Sequence, residues 1–185
     1  MSGAITASKW AWLPNVVGFQ IVWIAAVGGA ARGWWWAGPL ALLIFASIQL
    51  TISRWRVADL KLMLIAAALG FAVDSLWVQL GWIEFRSAQP WPSLAPIWIV
   101  AMWMGFALTL NHSLAALKSQ TVIAVAFGLI GGPLAYWIAA SVWHAAVIQA
   151  AWQPYAGLAI AWGLVTPLLL WLAQRLMPSP TFGAV

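Results

Sequence analysis

The chain contains no cysteine, which excludes disulfides and thiolate metal sites. Charge is almost as scarce, with three acidic residues and eight Lys or Arg in 185. About a quarter of the residues of an ordinary soluble domain are charged. A soluble chain this poor in polar groups could not cover its own surface, so lipid must be the outer solvent. Two His and three acids, with no HExxH or paired carboxylate–His spacing, supply no metal site. A Gly-rich phosphate loop is absent, and so is any credible Ser-His-Asp set. The net charge of +5 does not point to nucleic acid, because the cations are scattered and form no stripe beside stacking aromatics.

Apolar residues make up 65% of the chain, Trp occurs 17 times, and mean hydropathy is +0.94. A transmembrane helix needs about 20 mostly apolar residues. Six stretches qualify: Leu13 to Ala31, Trp35 to Ile52, Leu60 to Trp82, Pro96 to Leu114, Thr121 to Val142 and Tyr155 to Leu176. The joins between them are short and carry breakers or charges, and none is long enough to separate two domains. The expected fold is an all-α integral membrane bundle of six transmembrane helices forming one domain over residues 1–185, ending in a short tail from Pro178. The first stretch follows Lys9 like a signal peptide, but its apolar run is longer than a signal core.

Orientation follows from the basic residues. Lys9, Arg54, Arg56, Lys61, Lys118 and Arg175 fall on one side, and Arg32 and Arg86 on the other. Six against two places both termini in the cytoplasm. Eight tryptophans (Trp34, Trp35, Trp36, Trp82, Trp91, Trp98, Trp143 and Trp152) fall near outer ends, and Trp10, Trp12 and Trp55 near the inner face, as expected of amphipathic rings at headgroup level. Trp23, Trp77, Trp103, Trp137 and Trp162 lie deeper, where they either pack or line a cavity. Gly128 and Gly132 form a GxxxG pair, and Ala26 and Ala30 a looser version, both suited to close helix approach. Pro133 and Pro167 are expected to bend their helices. Ala37 to Ala41 is echoed by Gly131 to Ala135, a hint of an inverted repeat.

Ionisable groups within a span are costly and count as functional candidates. Asp74 lies roughly 21 Å from the inner end of its helix, and Tyr136 at nearly the same depth, near 23 Å. With Gln79, and with Ser141 in reach, they outline an outer-half pocket walled by Trp77 and Trp137. It either binds a cation, proton or polar ligand group, or serves as an interhelical clasp. Asn111, His112 and Ser113 form a second polar group, separated in depth from Asp74 by about 15 Å. They read either as an inner-face site for a headgroup or partner, or as a polar helix end.

The order of these pieces is familiar. Gly33-Trp34 and Gly38-Pro39 precede Asp74-Ser75-Leu76. Trp103 to Leu114 follows, with its Thr-Leu-Asn-His-Ser-Leu, and then Gly131-Gly132-Pro133-Leu134-Ala135-Tyr136-Trp137. Over nearly its whole length the chain resembles the domain-of-unknown-function 2878 family, small bacterial inner-membrane proteins. The resemblance implies an inner-membrane location and an accessory role in lipid modification. It names no cofactor or reaction. The chain also looks like tryptophan-rich sensory proteins, although their five spans and Trp-Pro-Pro signature are missing. It is similar too, in length and span number, to the substrate-binding subunits of energy-coupling-factor vitamin transporters.

Three roles follow. The first is a non-enzymatic accessory or scaffold subunit with protein partners in a membrane complex. The second is a binding or transport subunit for a small hydrophobic or aromatic molecule. The third is a lipid-modifying enzyme using Asp74 or His112. The bilayer is a partner in all three, and nucleic acid in none.

Overall fold

The computed structural model describes residues 12–178. Lys9, Trp10 and most of the expected tail lie outside the described residues. Each of the six apolar stretches folds as an α-helix: α1 Leu13–Ala31, α2 Ala37–Ile52, α3 Arg56–Gln79, α4 Ile97–Ala107, α5 Thr121–Ser141 and α6 Trp152–Leu176. Four of them, α1, α3, α5 and α6, are long and apolar enough to cross a membrane, while α2 and α4 are shorter. The outward faces carry Leu43, Ile44, Ile48, Val122, Ile130 and Leu164, all more than half exposed. A water-soluble surface rarely carries so much contiguous apolar area, whereas a lipid-facing one does.

The joins set the two ends of the bundle. After α3, β1 (Ile83–Phe85) pairs antiparallel with β2 (Ala146–Ile148), which follows α5. This ribbon marks one end of the molecule. Arg32 and Arg86 lie at the same end, Arg32 capping α1 by donating to the Gly28 carbonyl at 2.8 Å. The opposite end carries the Ser53–Trp55 turn and the segment between α4 and α5. There Arg54 lies over the Trp55 ring and Arg175 over the Trp171 ring, at 5.9 and 5.3 Å.

Small residues let the helices close. A Cβ on Gly38 would stand 2.7 Å from that of Ala26, so α1 and α2 meet backbone to backbone. Gly128 and Gly132 on α5 accept the backbone and ring of Trp162 on α6. The GxxxG pair is thus a seat for one tryptophan. Pro133 and Pro167 lie inside helices that run on through them.

The expected boundaries differ most at the fourth span. The apolar run suggests helix to Leu114, but α4 ends at Ala107 and continues as turns and a 3-10 segment, Ala115–Ser119. The backbone tightens, with Thr109 N–H donating to the Phe106 carbonyl and His112 N–H to that of Thr109. The cause is tertiary, since Asn111, His112 and Ser113 are all drawn to side chains of other helices. Surrounding protein buries this non-helical backbone: Leu108, Thr109 and Leu110 are almost fully buried, as are Trp98, Ile99, Ala101, Trp103 and Ala107 on α4.

Candidate functional site

Asp74 is fully buried on α3. Its Oδ1 accepts the Tyr136 hydroxyl of α5 at 2.5 Å, and its Oδ2 accepts the Trp103 indole N–H of α4 at 2.7 Å. Both distances fall at the short end of the range for protein hydrogen bonds. Trp103 stacks on Trp162 with ring centres 4.5 Å apart, and Phe106 meets the Trp162 ring edge-on at 5.4 Å. Gly70 makes room for this, because a Cβ there would overlap the Trp103 ring. The Trp162 indole nitrogen lies close to the Tyr136 hydroxyl but makes no hydrogen bond of regular geometry. One carboxylate therefore ties three helices together and holds a fourth through a stacked ring.

Beside this tie lies a cavity of about 340 Å³, within the range of small-molecule sites, about 300–1,000 Å³. Its lining is overwhelmingly apolar. Trp23, Trp98, Trp103, Trp162 and Phe106 wall it, and Tyr136 lies at its edge. It exists because α5 packs along α6 and scarcely touches α1 or α4.

Of the expected pocket, the structure brings together Asp74 and Tyr136. Gln79 is exposed and donates to the Ser93 carbonyl at 2.6 Å. Ser75 accepts the Ala95 N–H. Trp77 is buried and stacks on Trp82 with ring centres 5.3 Å apart, and Trp137 and Ser141 are exposed. Among the deep tryptophans it is Trp103 and Trp162 that surround the tie. Matching depths would have found Trp103, since Asp74 stands five residues from the end of α3 and Trp103 six from the start of α4. Trp98, expected in the interfacial belt, is buried and donates to the Arg86 carbonyl at 3.0 Å.

A second polar group sits at the end opposite the ribbon, built around a residue the sequence places merely in a join. Asp59, in the first turn of α3, is fully buried. Its Oδ1 accepts Asn111 Nδ2 at 2.7 Å, and its Oδ2 accepts Ser53 Oγ at 2.6 Å and lies 2.9 Å from His112 Nε2. Lys118 donates to Asn111 Oδ1 at 2.5 Å. Burial pulls the Lys118 ammonium below its ordinary pKa, and the charge of Asp59 opposes that pull. Ser113 Oγ donates to Asn15 Oδ1 at 2.6 Å, and Asn15 Nδ2 donates to Gln49 Oε1 at 3.0 Å. Asn111, His112 and Ser113 are thereby held by α1 and α3, with α2 joined through Gln49. Asp59 and Asp74 stand about 22 Å apart on one helix, so the two groups are separate. Among the described residues no three His, Cys, Asp or Glu side chains come together as a metal site.

The architecture defines a class: a helical protein whose apolar helices suit a membrane and enclose a tryptophan-lined cavity. The profile of the family described as "Protein of unknown function (DUF2878)" matches residues 12–168, and the chain belongs to that family. No curated protein and no solved structure matches it.

Proposed function

We propose that this chain is an inner-membrane protein that crosses the bilayer six times with both termini in the cytoplasm, and that it binds a small hydrophobic or aromatic molecule in the cavity beside Asp74. The cavity carries the reading. A bundle that served merely as a scaffold would gain by closing α5 onto α1 and α4, since unfilled apolar space costs stability. Here aromatic rings hold the space open, and the Asp74 tie fixes the ring that forms its floor. Both oxygens of Asp74 are occupied by donors, which suits a positioning role better than proton transfer. The six-span topology is supported by the placement of Arg54, Arg56, Lys61, Lys118 and Arg175 at one end.

The test is a fluorescence titration of the purified protein with naphthalene-sized aromatics and medium-chain alcohols. A saturable change in tryptophan emission is expected, and it should vanish in Met102→Trp, which fills the cavity from α4. No saturable signal from any compound would sink the proposal.

A further inference from the structure

The cavity's open side faces sideways. Phe127, Gly131 and Leu134 on α5, together with Gln20 on α1, line it, and Phe127 and Leu134 are 44% and 50% exposed. Gly131 is half-buried, and a Cβ built on it would meet nothing within 4 Å. The gap between α1 and α5 is therefore a window onto whatever surrounds the helices. Under the membrane reading that surrounding is hydrocarbon.

Gln20 makes this window specific. It is exposed, seven residues into α1, and forms no hydrogen bond among the described residues. The other two amides on α1 and α2, Asn15 and Gln49, satisfy each other. An amide left unpaired at membrane depth is costly, because lipid tails offer it no partner. A ligand oxygen would satisfy it.

We infer that the cavity is loaded from the bilayer through the α1–α5 window, and that its occupant is a single apolar chain bearing a hydroxyl or carbonyl oxygen that Gln20 holds at the mouth. This rests on the cavity-binding reading and adds the route and the ligand class. The chain body fills the aromatic pocket while its oxygen stays at the lip.

Photolabelling in nanodiscs tests it, using two probes of equal chain length, a diazirine alkane and a diazirine fatty alcohol. Labelled peptides from α4 report the cavity, and those from Leu43, Ile44 and Ile48 on α2 report ordinary lipid contact. Both probes should label α2 equally. The alcohol should label α4 about fivefold more than the alkane, the worth of one hydrogen bond. Gln20→Leu should erase that preference, and Gly131→Leu should remove α4 labelling while leaving α2 labelled. An α4 unlabelled in the wild type, or labelled equally in Gly131→Leu, overturns entry through the window. An alcohol preference that survives Gln20→Leu overturns the role of Gln20. If α4 stays unlabelled while added aromatics still give a saturable fluorescence change, this inference fails and the binding reading stands. If both fail, the cavity is no binding site.

Discussion

The Tyr136 hydroxyl and Asp74 Oδ1 meet at 2.5 Å, joining α5 to α3, two helices that otherwise scarcely touch. Among the described residues this bond is the direct side-chain hydrogen bond between the α5–α6 pair and the carboxylate that positions Trp103.

Tyr136→Phe removes that tie and leaves Asp74 with the Trp103 donor alone. A loss of about 1–3 kcal/mol is expected for a buried group deprived of a partner, read as a fall in thermal midpoint in detergent. Asp74→Asn should cost less than about 1.5 kcal/mol. Its carbonyl can accept the Trp103 N–H, and its amide can donate to the Tyr136 oxygen once that hydroxyl turns round. Asp74→Leu, which satisfies neither donor, should be the worst of the three.

Adjacent glycines on α5 should respond with opposite signs. Gly131→Ala places a methyl in open space and replaces a poor helix former, so a gain of up to about 1 kcal/mol is expected. Gly132→Ala would drive a Cβ into the Trp162 ring, at a cost of about 1–3 kcal/mol and with weakened ligand binding. Thermal scans of the two variants side by side decide it.

At the other end, Asp59 holds three donors and His112 contributes one of them. Asp59→Ala strands Asn111, Ser53 and His112 together and should cost about 1–3 kcal/mol for each donor left buried and unpaired. His112, with its side chain 18% exposed, can turn to the interface, so His112→Ala should cost about 1–2 kcal/mol. An equal or reversed order in unfolding midpoints would refute this ranking.

Because the chain has no native cysteine, orientation can be read with single introduced thiols. In intact cells a membrane-impermeant maleimide should label Glu84→Cys at the ribbon and miss Gln120→Cys, with the reverse in inverted vesicles. Both side chains are exposed. Labelling of Gln120→Cys in intact cells would invert the topology.

The helices were legible because lipid-facing runs of about 20 apolar residues have few alternative folds. Depth arithmetic from the helix ends paired Asp74 with Tyr136 for the same reason, since a straight helix converts residue number into height. It misassigned Gln79 and Trp137, because height says nothing about which side of the helix a residue occupies. The early end of α4 was hidden in an unbroken apolar sequence. What stops the helix is the pull of Asp59 on Asn111 and His112, a contact between residues 52 and 53 apart in the chain. Asp59 itself looked like a loop residue because α3 starts at Arg56 instead of Leu60, bringing the acid inside the first turn.

The short α4 also makes the shape of the fourth segment depend on the third. The run from Pro96 to Leu114 is long enough to enter the bilayer as a continuous helix, yet the folded chain keeps eleven residues helical. The remaining turns gain nothing by unwinding until Asp59 is there to receive Asn111 and His112. The unwound end of the fourth segment therefore keeps its shape only in company with α3, whose Asp59 receives Asn111 and His112.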